Sequence, residues 1–111
     1  MADIPLNAFK TVTAVLTTDL TEVYTAPNGV SSIVLMAQIA NIGNTPANAT
    51  IQHSNGFVNT ELISEYTIPG NDAASAITGK LVLETGNRIR AAGSQNNQLK
   101  LTLSILESAN E

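Results

Sequence analysis

The chain has 111 residues, a formal net charge of −4 and no cysteine. This length fits one domain, and the acidic balance argues against a nucleic-acid partner, since neutralising phosphates requires clustered Lys and Arg. Only 13% of the residues are charged, about half the roughly 25% usual in soluble domains, so much of the surface must be uncharged or buried against other subunits.

Residues 1–8, which contain Ile4, Pro5 and Leu6, show no alternation of apolar and polar side chains. We predict that they form a flexible N-terminal arm that becomes ordered on another surface. The arm lacks the basic start and apolar core of a secretion signal, and no apolar run reaches the roughly 20 residues that span a membrane. We therefore expect a protein made in the cytoplasm, with no membrane partner.

Short runs of β-branched residues alternate with Gly, Pro and Asn along residues 9–107, and a tail follows at 108–111. This pattern predicts a single-domain, all-β fold, either an antiparallel β-sandwich or a jelly-roll-like barrel. Residues 9–17 predict the first strand, with threonines on one face and apolar side chains on the other. Residues 22–26 predict the second strand, which ends at a tight turn formed by Pro27-Asn28-Gly29.

Residues 31–42 predict a third strand that differs from the others, because both of its alternating sets are largely apolar. In a small antiparallel domain, one face of a sheet normally meets solvent. A strand that is apolar on both faces is either central and covered by a loop of the same chain, or it contacts another subunit. On the second interpretation, we predict that Val34 and Met36 lie in a subunit interface.

Residues 47–54 and 57–63 flank Asn55-Gly56, a dipeptide that predicts a hairpin with a two-residue type I′ turn. Pro69-Gly70 predicts a type II turn, followed by a loop over residues 71–75. Residues 98–106 alternate strictly and predict a closing core strand. Its inward side chains are predicted to be Leu99, Leu101, Leu103 and Ile105, and its outward ones Lys100, Thr102 and Ser104.

Three of the five basic residues lie within residues 79–91, GKLVLETGNRIRA. The Gly-Asn pair at 86–87 predicts a two-residue turn of the II′ kind, and the stretch is therefore predicted to form a hairpin. Arg88 and Arg90 share one face of its second strand, where they can pair with Glu84 across the hairpin. The alternative is that both arginines contact an acidic patch on a partner subunit.

No pattern in the sequence is typical of a catalytic, metal or phosphate site. His53 is the only histidine, and it has no acidic residue in its own strand. The serines lack a nucleophile-elbow motif, and the seven glycines are dispersed among turns instead of gathered in a phosphate loop. We expect no enzyme activity, no cofactor and no bound metal.

Two segments of the sequence resemble small virion proteins of tailed bacteriophages: EVYTAPNGVSSIVLMAQIAN at 22–41 and YTIPGNDAASAITGKLVLETGNRIRA at 66–91. In those proteins a Tyr-Thr-x-Pro-x-Gly turn leads into an apolar strand, and a Gly-Lys-Leu-x-Leu-Glu segment precedes a closing alternating strand. The matching positions are Tyr24, Thr25, Pro27, Gly29, Gly79, Lys80, Leu81, Leu83 and Glu84.

The resemblance implies a structural subunit used in many copies in the virion, with no active site to transfer. We favour a capsid decoration, or cement, protein that is assembled in the host cytoplasm and binds the major capsid protein or other virion proteins. Its copies are expected to form a homo-oligomer, namely a trimer. A neck, tail or fibre component with host-surface binding is the alternative. The residues expected at these interfaces are Ile4, Pro5, Leu6, Val34, Met36, Arg88 and Arg90.

Overall fold

Nine β-strands and no helix make up the described part of the chain, residues 7–76 and 80–109, in a computed structural model. The strands are β1 (Asn7–Val15), β2 (Thr21–Thr25), β3 (Val30–Asn41), β4 (Ala47–Ser54), β5 (Asn59–Ile68), β6 (Ala73–Ser75), β7 (Leu81–Leu83), β8 (Arg88–Gly93) and β9 (Leu99–Ala109). The all-β prediction is therefore confirmed. A search of the same residues finds no helix that could cross a membrane.

The strands form two antiparallel sheets that pack on each other. In the five-stranded sheet the order is β1-β9-β3, and both β6 and β7 pair with the far side of β3. The other sheet has the order β2-β8-β4-β5. The two packed sheets confirm the predicted antiparallel β-sandwich. If β6 and β7 are counted as one interrupted strand, the strand order is also that of an eight-stranded jelly roll.

The core lies between the two sheets and takes one alternating set of side chains from each strand. The four inward side chains predicted for β9 are all buried. The four-stranded sheet contributes Tyr24, Ala49, Ile51, Ile89 and Ala91 to the same cluster. Because each sheet buries one face, the opposite faces of both sheets are left for solvent or for partners.

β3 contains a β-bulge that exchanges its two faces. Val34 pairs with Ile105, but Met36 pairs with Ser104, so one extra residue, Leu35, enters the strand between them. Inward side chains therefore have even numbers before the bulge and odd numbers after it. The buried side chains are Ser32, Val34, Ala37, Ile39 and Asn41. Both alternating sets of β3 are apolar because each set supplies core residues on one side of the bulge.

The sheet extends beyond the limits that the sequence predicts for the domain. β1 begins at Asn7, opposite Ser108 of β9, so residues 7 and 8 belong to the sheet and not to the predicted arm. β9 continues to residue 109, so the predicted tail at 108–111 begins inside a strand. β6 lies in the predicted loop at 71–75, where it pairs with β3.

β4 and β5 form the predicted hairpin, but its turn is longer than two residues. Ser54 pairs with Asn59, which leaves residues 55–58 in the loop. The Asn55 side chain closes this loop, because its Oδ1 accepts hydrogen bonds from the N–H groups of Phe57 (2.9 Å) and Val58 (2.8 Å). Within the loop only the glycine has a positive φ, whereas a type I′ turn needs two such residues.

The predicted hairpin at residues 79–91 is wrong. β7 pairs with β3 in the five-stranded sheet, whereas β8 pairs with β2 and β4 in the other sheet. A turn at residues 84–87 carries the chain between the sheets, and the N–H of Asn87 closes it by donating to the Glu84 carbonyl (2.8 Å). Gly86 has a φ of +87°, as the third position of a type II turn requires.

Asn41 holds together the loops at the end of the sandwich away from the 84–87 turn. Its Nδ2 donates to the carbonyl oxygens of Thr45 and Ile68, both at 2.9 Å. Its Oδ1 accepts from the Gly43 N–H (2.9 Å) and from Gln98 Nε2 (3.1 Å). The side chain is buried, so these four bonds satisfy polar atoms that water does not reach.

Position 70 needs a glycine because a side chain would not fit there, and not because of its φ angle. The sequence predicts a type II turn at Pro69-Gly70, yet the positive φ in this turn (+60°) belongs to Asn71. A Cβ at Gly70 would lie 2.5 Å from the carbonyl carbon of Asn44, so the β3–β4 loop packs directly on the glycine. The absence of a side chain lets the two loops touch.

Candidate assembly surfaces

An apolar row crosses the outer face of the five-stranded sheet. Phe9 of β1 pairs with Leu106 of β9, which pairs with Ile33 of β3. Ile33 in turn pairs with Val82 of β7. Phe9 is 78% exposed and Val82 is 56% exposed. We call these four side chains the apolar row. They lie side by side on four strands, on the face opposite to the core.

The outer face beyond the apolar row is nearly free of charge. In the neighbouring row Met36 pairs with Ser104, which pairs with Thr11. The outward side chains of β1 from Phe9 to Val15 lie in rows with residues of β9, β3, β6 and β7. Among all of these, Lys100 is the single charged side chain. Removing such a face from water costs little, because few charges lose their hydration. This face is therefore the best candidate for contact with another protein.

The bulge separates the two interface residues that the sequence predicts on β3. Met36 lies on the outer face, next to the apolar row, and is 36% exposed. Val34 is fully buried between the sheets, so its assignment to an interface is corrected: it belongs to the protein's own core. The extra residue at position 35 turns one of these side chains inward and the other outward. The predicted residues Ile4, Pro5 and Leu6 lie outside the described part of the chain.

Arg88 lies on the outer face of the four-stranded sheet, on the side of the sandwich away from the apolar row. Its Nε is 3.6 Å from Glu22 Oε1 on β2. The predicted pairing with Glu84 across a hairpin therefore does not occur, because β7 and β8 belong to different sheets. Both partners of the ion pair are about half exposed, so solvent screens it and its contribution to stability is small.

Arg90 lies on the same face and pairs in register with Gln52 of β4. Within the part of the chain that the structure describes, Arg90 has no ion pair, and Gln52 Oε1 is buried without a hydrogen-bond partner. Gln52 Nε2 donates to Glu61 Oε2 at 2.8 Å. The arginines and Met36 therefore lie on opposite faces, and one flat partner surface does not reach both.

A polar cluster closes the core at the end where β1 begins. The Tyr24 hydroxyl donates to Glu107 Oε2 at 2.5 Å and lies 2.7 Å from the Ser32 hydroxyl. Lys10 Nζ is 3.6 Å from the same carboxylate oxygen. Burial, followed by the hydrogen bond to Glu107, raises the pKa of Tyr24 to about 12, because the phenolate would be desolvated beside a negative charge.

His53 lines a groove between the edges of the two sheets and contacts Asn87, whose Nδ2 is 3.3 Å from the imidazole Nε2. Leu62 and Thr60 of β5 and Val82 of β7 form other parts of the groove wall. No group of three or more His, Cys, Asp or Glu side chains suited to a metal ion is found in residues 7–76 and 80–109.

Sequence reasoning missed all four members of the apolar row, although the alternation contained a signal for two of them. Phe9 is odd-numbered, like Thr11 and Thr13, so it belongs to the face of this strand on which the sequence predicts the threonines. Leu106 likewise shares its parity with the outward residues of β9. Nothing in the sequence shows that these positions share one row with Ile33, because strand neighbours are set by the tertiary fold.

No family model matches the chain, and no curated protein is similar to it in sequence. The sequence comparisons therefore give no family-level support to the resemblance with tailed-phage virion proteins. Solved structures do share its fold. The first is a protein from a study of Bacillus endospore appendages that form disulfide-linked pili, with a TM-score of 0.58, 8% identity, and coverage of 100% of this chain and 98% of that chain.

A second similar structure comes from the acid-stable capsid of the Helicobacter pylori bacteriophage KHP30. Its TM-score is 0.54 at 10% identity, and the match covers 96% of this chain and 90% of that chain. A pentameric capsid protein from metagenomic phage sequences also matches, at a TM-score of 0.43, 12% identity, and coverage of 89% and 59%. At such identities the first two matches show a common fold.

Proposed function

We propose that this chain is a structural protein of a bacteriophage virion, and that it serves in many copies as a capsid decoration, or cement, protein. The observation that carries the proposal is the apolar row on the outer face of a jelly roll. Exposed apolar side chains that adjoin one another on a nearly uncharged face are typical of surfaces that pack on other proteins.

The shared fold supports this proposal. A chain in the capsid structure of a bacteriophage has the same fold, and the match covers 90% of that chain. The match along nearly the whole of both chains indicates that a unit of this size and topology is used in a phage particle. The resemblance of two sequence segments to virion proteins points to the same setting.

The proposed mechanism is passive clamping of neighbouring capsid subunits. A decoration protein that buries its apolar row across the boundary between two capsomers stabilises that boundary by its own binding free energy. Each contact need only be of modest size, since it is repeated over the whole shell. The polar outer face of the four-stranded sheet, with Arg88 and Glu22, would then face solvent.

The proposal keeps two expectations drawn from the sequence, namely the arm and the trimer. The arm with Ile4, Pro5 and Leu6 would extend the contact with the capsid from a point close to Phe9, the aromatic residue of β1. Deleting residues 2–6 should weaken particle binding while the domain stays folded, because β1 begins at Asn7. Equal binding of the truncated and full-length proteins would rule out this role for the arm.

A neck, tail or fibre component is the second candidate function. The specific observation in its favour is the match to a pilus-related structure over 100% of this chain and 98% of the other. Pili are filaments of repeated subunits, and a heterologous contact between identical subunits gives a filament when its rotation does not close. Filaments in electron micrographs of the purified chain would favour this candidate.

Immunogold electron microscopy of intact particles of the encoding phage tests the main proposal. Labelling over the head, together with earlier heat-induced loss of DNA from particles assembled without the protein, is the expected result. Labelling confined to the tail or neck would favour the second candidate. An absence of labelling on purified particles would overturn both.

A further inference from the structure

β1 is an open sheet edge that has no bulge and no proline and is not short, so it lacks three of the features that normally prevent edges from pairing, and it carries a single charged residue, Lys10. Among residues 7–76 and 80–109, no strand pairs with β1 on the side away from β9. Open edges are usually protected by short strands, bulges, prolines or charges, because their free N–H and C=O groups otherwise attract another strand. We propose that the open edge of β1 pairs with β1 of a second copy of this chain, in a two-fold antiparallel arrangement.

The other edges of the two sheets are protected. β6 and β7 have three residues each, and β2 contains a bulge between Glu22 and Tyr24. β5 has two irregularities in its pairing with β4 and carries Glu61 and Glu65. β1, in contrast, runs for nine residues in continuous register with β9. Its one charged residue, Lys10, is paired with Glu107.

The direction of the main-chain groups shows which residues of β1 are free to pair. The N–H of Leu16, which directly follows β1, donates to the Leu99 carbonyl at 2.9 Å. The N–H and C=O groups of even-numbered residues therefore point toward β9. Because this direction alternates along an antiparallel strand, the odd-numbered residues direct their N–H and C=O groups to the open edge. These groups belong to Phe9, Thr11, Thr13 and Val15.

One register of the two-fold pair matches the side chains best. With Val12 on the two-fold axis, Phe9 of each copy lies opposite Val15 of the other, and these are exposed by 78% and 49%. Thr11 then lies opposite Thr13. Aromatic with β-branched residues and threonine with threonine are favourable cross-strand pairs. In this register each odd-numbered residue also faces an odd-numbered one, so the free main-chain groups can bond.

Neighbouring registers fit less well. Placing Lys10 on the axis would set two lysines directly opposite each other, which is destabilising. Placing Thr11 on the axis would set Phe9 against Thr13 and leave Val15 opposite Asn7. Only the Val12 register of these three joins the two exposed apolar side chains of the strand, and it extends the apolar row into the second copy.

The inferred contact goes beyond the proposed virion function and does not depend on it, because the purified chain suffices to test it. A two-fold strand pair is compatible with the predicted trimer, since three-fold contacts would use other surfaces and the strand pair would join copies from adjacent trimers. The partner is in every case a second copy of this chain.

A single introduced cysteine tests the register, since the chain has none of its own. In a Val12→Cys variant the two thiols would face each other across the axis, where Cα atoms of such a pair lie about 4.5 Å apart, within disulfide reach. In the matched Ala14→Cys variant the two cysteines would be four residues apart along the paired strands. That distance is about 14 Å, too far for a disulfide.

Under mild oxidation, Val12→Cys should give a disulfide-linked dimer on a non-reducing gel, whereas Ala14→Cys should stay uncrosslinked. Equal crosslinking of the two variants, or crosslinking of neither, would overturn the proposal. Circular dichroism of both variants verifies that each is folded. In sedimentation, the unmodified chain should associate from monomer to dimer as its concentration rises. A monomer at every concentration would also overturn the proposal.

A charge-swap experiment tests the pairing without relying on cysteine. The Thr11→Lys/Thr13→Lys variant would place lysines opposite lysines and raise the dissociation constant of the pair about tenfold or more. Thr11→Glu/Thr13→Glu should weaken self-pairing likewise, and mixing the two variants should restore association. Gln38→Lys, on the same face but away from the edge, is the control and should leave association unchanged. No recovery on mixing would contradict the inferred register.

Discussion

At the scale of single residues, Tyr24 makes the free energy of unfolding depend on pH. Its hydroxyl lies in the polar cluster with Ser32 and Glu107, and its pKa is raised from 10.0 to about 12. The unfolded chain releases this proton near pH 10, whereas the folded chain retains it up to about pH 12. The free energy of unfolding therefore falls as the pH rises through this window, and below it the stabilisation is complete.

We predict that the unmodified chain loses about 2 kcal/mol of unfolding free energy between pH 10 and pH 12, since one unit of pKa corresponds to about 1.4 kcal/mol. Tyr24→Phe should lower stability at neutral pH by about 1–2 kcal/mol, because Ser32 and Glu107 lose a partner. The variant should lack this alkaline loss. Urea unfolding at several pH values measures both effects, and an identical pH dependence in the variant would contradict the assignment.

Asn41 is the second residue whose role follows from its contacts alone. Its four hydrogen bonds join the β3–β4 loop to Ile68 and to Gln98. Asn41→Ala should lower the free energy of unfolding by about 2–4 kcal/mol, because buried carbonyl groups are left without donors. Gln52→Ala, which removes one exposed hydrogen bond on the outer face, is the control and should cost under about 1 kcal/mol. Thermal unfolding followed by circular dichroism compares the two.

At the scale of secondary-structure elements, the bulge in β3 makes a prediction that separates core from interface. Val34→Ala should destabilise the isolated domain by about 2 kcal/mol, because the methyl groups removed are fully buried. Met36→Ala should change its stability by less than about 1 kcal/mol, since that side chain lies on the outer face and is 36% exposed. Denaturant unfolding measures both. Similar values for the two variants would contradict the placement of the bulge.

Most strands could be predicted from the sequence, because alternation and turn residues are local signals. β9 shows this most clearly, since its four inward side chains are buried as its period predicts. The bulge at Leu35 could not be predicted, because a one-residue insertion in a strand that is apolar on both faces leaves no trace in the pattern. The sequence of residues 31–42 therefore predicts a strand with two apolar faces. In the fold, the bulge instead moves the inward side chains from one alternating set to the other.

The turn at Glu84–Asn87 shows a different limit of sequence reasoning. A Gly-Asn pair between two apolar runs has the local pattern of a hairpin, yet here it connects strands of opposite sheets. The choice between these outcomes depends on which partners β7 and β8 find, and those partners, β3 and β4, are distant in sequence. For the same reason Arg88 forms its ion pair with Glu22 of β2 and not with Glu84.

At the scale of the whole molecule, the two outer faces differ in chemistry. One carries the apolar row and Met36, and the other carries Glu22, Arg88 and Gln52 with Glu61. A protein with one nearly uncharged face and one charged face is suited to attachment by a single side, with the charged side kept in solvent. The open edge of β1 adjoins the nearly uncharged face, so pairing between copies would enlarge the proposed contact surface without covering it.

The last prediction tests whether the apolar row is the attaching surface. Val82→Asp introduces a charge into the row, and Val58→Asp introduces the same charge into the β4–β5 loop, at positions exposed by 56% and 59%. Both variants should keep the stability of the unmodified chain within about 1 kcal/mol, since neither side chain is buried. Val82→Asp alone should abolish binding to capsids assembled without the protein, because burying an unpaired carboxylate is costly. Co-sedimentation with such capsids measures this, and if the two variants bound equally well, the row would not be the contact and attachment would have to use another face.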